Sequence, residues 1–180
     1  FRIIEQDQPD YLAVSFDVGA TFRDDLYPEY KGTRAKMPDD LRSQIERMRE
    51  VVAAFNIPVL EAEGYEADDV LGTVAKQAAA QGVEVVIVTG DGDLLQLADK
   101  RIRISLAGQK LSEAALYGPA EVKERFGVTP RQYIDYKALV GDTSDNIPGV
   151  AGVGEKTATS LLQEYDSLDK IYMNLEKIPA

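Results

Sequence analysis

The run Val83-Glu84-Val85-Val86-Ile87-Val88 constrains the fold more than any other segment. A nearly unbroken apolar strand belongs in a parallel sheet with both faces covered. Ala67, Val70, Leu71, Val74, Ala75 and Ala78 precede it at helical spacing, ended by Gly82. Tyr11 to Phe16 reads as an earlier strand that stops at Asp17, Ile57 to Leu60 as a short one, and Arg101 to Leu106 as a later one. Asp39 and Asp40 after Pro38 start a helix carried by Leu41, Ile45, Met48, Val52 and Phe55. Strand–helix alternation predicts an α/β fold with a mostly parallel sheet and flanking helices. Beyond about Tyr117 the pattern turns helical, with Pro119 and Thr129-Pro130 as start signals. The expected division is 1–116 and 117–180.

With 180 residues, 44% hydrophobic and 28% charged, the chain has the size and composition of an ordinary globular domain. Twenty Lys and Arg stand against 31 Asp and Glu, a net charge of −11. That balance argues against a sequence-blind nucleic-acid coat. Without cysteine, disulfides and thiolate chemistry are excluded and an intracellular location is expected. Without histidine, so are a Ser-His-Asp triad and any imidazole metal ligand. Metal chemistry here must use oxygen ligands and hard cations. No apolar run reaches the length of a membrane span, and the opening residues show no signal-peptide pattern. Phe1-Arg2-Ile3-Ile4-Glu5 reads as a helix entered partway, as in a piece of a longer protein.

Between Asp17 and Pro38 lie about twenty residues without periodicity, and loops of that length are usually functional or disordered. From Arg23 to Arg49, seven basic residues (Arg23, Lys31, Arg34, Lys36, Arg42, Arg47, Arg49) outnumber six acidic ones, with Tyr27 and Tyr30 interleaved. Alone this is a solvated loop; in a nucleic-acid enzyme it is a phosphate-contacting and base-stacking element.

The acid gathers at strand ends and helix starts: Asp17, Glu66-Ala-Asp68-Asp69, Thr89-Gly-Asp91-Gly-Asp93, and Gly141-Asp142-Thr-Ser-Asp145-Asn146. Each group has an ordinary explanation in helix dipoles, turns or caps. Together they are eight carboxylates at positions that a parallel sheet directs to its ligand edge. Without cations they would repel one another. Two divalent ions would return four positive charges and supply phosphodiester-cleaving chemistry that needs no histidine.

Gly149-Val-Ala-Gly-Val-Gly154-Glu-Lys156-Thr-Ala158 nearly imitates a P-loop, but Glu155 separates Gly154 from Lys156 and no strand pattern precedes it. A Gly-rich turn into a helix suits a helix-hairpin-helix instead, gripping one phosphate strand through backbone N–H groups.

As a set, Phe16-Asp17, Tyr30-Lys31-Gly-Thr-Arg34, Glu66-Ala-Asp-Asp69, Thr89-Gly-Asp-Gly-Asp93, Gly141-Asp-Thr-Ser-Asp-Asn146 and Gly152-Val-Gly-Glu-Lys156 resemble the 5′-nuclease (flap endonuclease) family. Within it, the likeness is to exonuclease domains that precede bacterial polymerases. The resemblance implies a PIN-like (resolvase-like) core with a helical arch around 18–40. It also implies a helical region with a helix-three-turn-helix (helix-hairpin-helix) around 142–165. It implies two Mg²⁺ or Mn²⁺ ions, with Asp17, Glu66, Asp68 and Asp69 around the first and Asp91, Asp93, Asp142 and Asp145 around the second. Lys31 and Arg34 correspond to arch residues at the scissile phosphate, beside Tyr30. Gly152, Gly154 and Lys156 correspond to the phosphate-gripping turn, where the family also holds a monovalent cation such as K⁺. The implied partner is branched or nicked duplex DNA with a 5′ end or flap. A polymerase domain in the same longer chain, a monomeric state, and a bacterial cytoplasmic, nucleoid-associated setting are implied too. The family's opening strand, with its aspartate, has no counterpart after Phe1.

Two rival readings are weaker. Asp91-Gly-Asp93 and Gly141-Asp-Thr-Ser-Asp145 echo haloacid-dehalogenase phosphatases, but Leu95 stands where that motif carries Thr or Val. A non-catalytic helix-hairpin-helix module would leave the carboxylates unexplained.

Overall fold

The computed structural model describes residues 2–35, 37–107 and 114–178. Phe1, Lys36 and the closing 179–180, which figured in the sequence reading, lie outside them. The chain forms two compact units, 1–28 with 34–71 and 29–33 with 72–180.

In the first unit, α1 (Arg2–Asp7) is followed by β1 (Val14–Ser15), α2 (Phe22–Leu26), α3 (Asp39–Ala54) and β2 (Val59–Leu60). The strands pair in parallel, Val14 with Val59 and Ser15 with Leu60. The Ser15 hydroxyl adds a 2.8 Å hydrogen bond to the Leu60 carbonyl. Helix α2 falls inside the stretch read as aperiodic. Its start is a capping box: Thr21 accepts from the Arg23 N–H and Asp24 Oδ2 accepts from the Thr21 N–H at 2.7 Å. Pro38 precedes α3, and Asp39 and Asp40 complement its dipole. The apolar stripe read on α3 is only partly covered: Ile45 and Val52 are half-buried, Leu41 and Met48 are exposed, and no α3 residue is fully buried. Its tie to the unit runs through Arg49, which lies 4.5 Å from the Phe16 ring centroid and pairs with Glu61.

Helix α4 (Ala67–Ala80) crosses the boundary between the units at Leu71 and Gly72. In the second unit, β3 (Val85–Thr89) pairs in parallel with β4 (Ile102–Leu106), and β5 (Ala115–Tyr117) pairs antiparallel on β4's other side. The parallel pairing therefore appears as two separate ladders, β1 with β2 and β3 with β4, rather than one sheet among the described residues. β3 is buried on one face only, since Ile87 is inside while Val86 and Val88 are exposed. A short 3-10 helix (Gly92–Leu97) follows β3.

Helices α5 (Pro119–Phe126) and α6 (Pro130–Val140) start where their prolines predict. Thr129 and Gln132 form the capping box of α6. A two-residue hairpin of β6 (Gly141–Asp142) and β7 (Ile147–Pro148) precedes α7 (Glu155–Tyr165) and α8 (Leu168–Tyr172). So a short antiparallel pair does stand before the Gly-rich turn, unlike the sheet strand that feeds a P-loop.

Among the described residues, all buried apolar side chains belong to this second unit. Leu95, Ile102, Ile104, Val122, Val128 and Leu162 are essentially inaccessible. Burying each contributes on the order of 1.5–3 kcal/mol. Phe126, Tyr133 and Tyr136 pack as one aromatic cluster, with Phe126 and Tyr133 ring centroids 5.1 Å apart. The 3-10 helix and α6 pack together on this core, and they carry the side chains of interest.

Candidate functional site

Asp91 and Asp93 leave the carboxyl end of β3 as the sheet rule requires. Asp91 caps the 3-10 helix, its Oδ1 accepting the Asp93 N–H at 2.9 Å. Leu94 and Leu95 then dive into the core, which fixes where Asp93 points. From the other side, α6 ends at Gly141, whose φ is +83°. A Cβ there would meet the Gly149 nitrogen at 2.3 Å, and one on Gly149 would meet the Val140 carbonyl at 2.3 Å. Two glycines thus let the chain double back against the helix end. The turn between them is tied by Asp142, whose Oδ1 accepts from the Ser144 N–H, the Ser144 hydroxyl and the Asp145 N–H.

This geometry brings one carboxylate oxygen each from Asp93, Asp142 and Asp145 within 4.8 Å of one another. Asp145 is buried and the other two are partly buried. Lys137, from the last turn of α6, points between them. Its ammonium donates to Asp142 Oδ2 and lies 2.9 Å from Asp93 Oδ1. The latter oxygen is buried and accepts no hydrogen bond; its contact with the ammonium is one of charge. Burial raises the Asp93 carboxyl above its ordinary pKa, and Asp91 and Asp142 add to this against the opposing pull of Lys137. Burial also pushes on Asp142, but the Lys137 and Ser144 hydrogen bonds outweigh it and bring the group down to about 2. Burial would likewise lower the Lys137 ammonium, yet its two carboxylate partners hold it above its usual value.

The tyrosine-lysine motif of the aperiodic stretch joins the same unit. The Tyr30 hydroxyl donates to Asp145 Oδ2 at 3.1 Å, and the Lys31 N–H donates to the Asp145 carbonyl at 2.9 Å. Asn146 Nδ2 returns a bond to the Glu29 carbonyl at 2.8 Å. The Lys31 ammonium lies 4.9 Å from the Tyr30 ring centroid. Arg34 is exposed and belongs to the other unit.

In the first unit, Asp17 Oδ1 accepts the Ala67 N–H at the start of α4 at 2.7 Å. Asp69 Oδ2 accepts the Glu66 N–H, and both its oxygens take the Arg23 guanidinium, at 2.7 and 2.9 Å. Asp17, Glu66 and Asp69 are thereby gathered at one helix start; Asp68 is partly buried on its first turn. Lys137 is the site residue that sequence reasoning did not name, and Arg23 figures there only as one of seven basic residues, without its pairing to Asp69. Lys137 carried a faint signal, a cation in an otherwise apolar last turn just before Gly141-Asp142.

Gly154 caps α7 and Gly152 has a φ of +82°. Lys156, in the first turn, lines a cavity of about 630 Å³ with Arg125, Phe126, Tyr136, Glu155, Thr159 and Ser160. Two cations, two aromatic rings and two hydroxyls stand there beside a helix start, with the Glu155 carboxylate as the one opposing charge toward an anion.

Three oxygen donors within reach of one point, in a chain without histidine or cysteine, fit a hard divalent cation. Similarity to known proteins agrees. The model of the 5′-3′ exonuclease N-terminal resolvase-like domain matches residues 1–127, and that of the 5′-3′ exonuclease C-terminal SAM fold matches 128–180. The chain belongs to the 5′-3′ exonuclease family. It is 52% identical to DNA polymerase I of Caldicellulosiruptor bescii, over 99% of this chain and 21% of that one. It is 44% identical to DNA polymerase I of Bacillus subtilis, over 98% of this chain and 20% of that one. It therefore spans about a fifth of the length of these polymerases. The T5 D15 protein co-crystallized with metal ions matches with a TM-score of 0.81 and 25% identity, over 99% of this chain and 70% of that one. The fold is thus a PIN-like, resolvase-like α/β domain followed by a helical SAM fold. The phosphatase and binding-module readings give way to this membership.

Proposed function

We propose that this chain is a structure-specific 5′→3′ exonuclease and flap endonuclease module acting on branched or nicked duplex DNA. The observation that carries the reading is the convergence of Asp93, Asp142 and Asp145 on one compact unit of a chain of the exonuclease family. These three residues, with Asp91 behind Asp93, are the proposed ligands of one Mg²⁺ or Mn²⁺ ion. Asp17, Glu66, Asp68 and Asp69 are the proposed ligands of a second. When bound, such ions polarise the phosphodiester and supply hydroxide near neutral pH.

The protein's part is to hold carboxylates and phosphate in place. Asp142 spends one oxygen on its own turn and presents the other. Tyr30 and the Lys31 backbone fix Asp145. The Lys31 ammonium and Arg34 are the proposed contacts to the scissile phosphate, offsetting charge that grows in the transition state. Gly152, Gly154 and Lys156 are proposed to grip the duplex backbone, with K⁺ at the turn. In this reading 1–116 is the catalytic core, with 18–40 as the arch, and 117–180 adds the ligands Asp142 and Asp145 and carries the helix-hairpin-helix at 142–165. The setting proposed is the bacterial cytoplasm, at the nucleoid, as a monomer with a polymerase domain in the same longer chain. Among the described residues no helix is long and apolar enough to cross a membrane.

The test is single-turnover cleavage of 5′-flap and nicked duplexes of unrelated sequence in a Mg²⁺ or Mn²⁺ titration. Cleavage at the junction whatever the bases is expected, with loss in Asp93→Asn and Asp142→Asn. Rates that follow base sequence, or that persist in chelator, would reject the reading.

A further inference from the structure

The Asp93, Asp142 and Asp145 cluster already contains a cation, and it is covalently part of the protein. Of the two Asp142 oxygens, Oδ1 is consumed by Ser144 and the Asp145 N–H, which leaves Oδ2 facing the cluster. On Asp93, Oδ1 is buried and accepts no hydrogen bond. Those two oxygens are the ones that the Lys137 ammonium touches. We propose that Lys137 is an internal counter-cation that holds Asp93 and Asp142 together before metal binds, and that a divalent ion must displace it.

Three carboxylates whose oxygens meet within 4.8 Å would repel without positive charge. One ammonium lowers the formal charge from −3 to −2, so the site is assembled yet still attracts a divalent ion. Lysine suits the task because it is a compact charge on a flexible four-carbon stem. Its side chain is 29% exposed, so the residue is not sealed in the core. Lys137 therefore sets the affinity of the cluster, trading tight binding for a site already formed when metal arrives. It acts through the carboxylates and is a positioning residue.

The inference rests on the metal reading of the cluster, and the experiment separates the two. Mn²⁺ binding to the intact protein is measured by calorimetry, and melting is followed in chelator and in saturating Mn²⁺, for wild type, Lys137→Met and Lys137→Arg. Competition predicts that Lys137→Met binds Mn²⁺ at least about fivefold more tightly, the lower end of usual coupling between sites. The same variant should melt lower in chelator, so that its metal-induced rise is larger. Lys137→Arg should keep the wild-type melting temperature in chelator. In wild type, the Lys137 Nζ resonance should shift as Mg²⁺ is added. Equal or weaker Mn²⁺ binding by Lys137→Met, with wild type binding normally, would overturn the counter-cation and leave the metal site standing. Absence of binding in every protein would overturn both.

Discussion

The Tyr30 hydroxyl reaches across 115 residues of sequence to donate to Asp145 Oδ2 at 3.1 Å. Asp145 is only 7% exposed, so its carboxylate depends on protein donors for much of its solvation. Tyr30→Phe removes one of them while keeping the ring under the Lys31 ammonium. Hydrogen bonds to charged groups contribute about 1.5–3 kcal/mol, and each kcal/mol moves melting by about 2–4 °C at this size. Melting in chelator should fall by about 3–12 °C, measured by calorimetry; an unchanged value would mean that the bond is not made.

Divalent ions should stabilise the protein by mass action, about 2.7 kcal/mol at a hundredfold excess over the dissociation constant. Thermal melts across a Mn²⁺ titration should show the rise, and Asp93→Asn or Asp142→Asn should shrink it. A titration without effect into tens of millimolar, roughly the weak limit of oxygen-ligand sites, would count against the cluster as a ligand set.

Acid should act on Asp142 in a defined direction. Its folded pKa, about 2, lies below the ordinary value of 3.8. Its contribution to stability is therefore present above about pH 4 and lost as pH falls toward 2. Asp93 works the other way: burial raises its pKa, so ionising it costs stability, and its protonation on acidification relieves part of that cost. In chelator, Asp142→Asn should flatten the fall in melting temperature between about pH 4 and 2, whereas Asp93→Asn should raise stability near neutral pH. Identical acid profiles for all three proteins would contradict both shifts.

Gly141→Ala should be costly out of proportion to one methyl group. A positive φ in a non-glycine residue costs about 1–3 kcal/mol, and here the added carbon also meets the Gly149 nitrogen at 2.3 Å. Lower melting together with weaker Mn²⁺ binding is expected, because the turn that carries Asp142 and Asp145 must move. Unaltered metal affinity would show that the hairpin does not set their position.

Lys31 and Lys156 should fail differently. Lys31→Ala should lower single-turnover cleavage by more than DNA binding. Lys156→Ala, at the exposed start of α7, should weaken binding for every sequence and reduce the salt slope by about one. The reverse pattern would place the two elements wrongly.

How far the sequence led follows from what is local. The prolines that open α5 and α6, the acids that open α3, and the Val85–Thr89 strand all declare themselves within a few residues. Helix α2 did too, through Thr21 and Asp24, but the box is easily passed over in a segment judged by hydrophobic period alone. The Asp142 to Asp145 turn was legible from its residue types. Lys137 was not, because its pairing with Asp93 spans 44 residues and arises only when α6 packs on the 3-10 helix. The Tyr30 bond was hidden for the same reason. The partly exposed stripe of α3 shows the opposite limit: helical period predicts a helix, not the extent of its cover.

The bond from the Lys31 N–H to the Asp145 carbonyl has a consequence for the timing of events in the chain. An amide in a five-residue turn ordinarily exchanges its hydrogen with water quickly, since turns open at little cost. This one can exchange only when segment 29–33 lifts from the Asp145-Asn146 turn. Its closure joins parts of the chain 114 residues apart, so it forms late, after the local elements. Hydrogen exchange at Lys31 is thereby a clock for the candidate site: protection there reports that the Asp145 turn and the Tyr30 motif have come together.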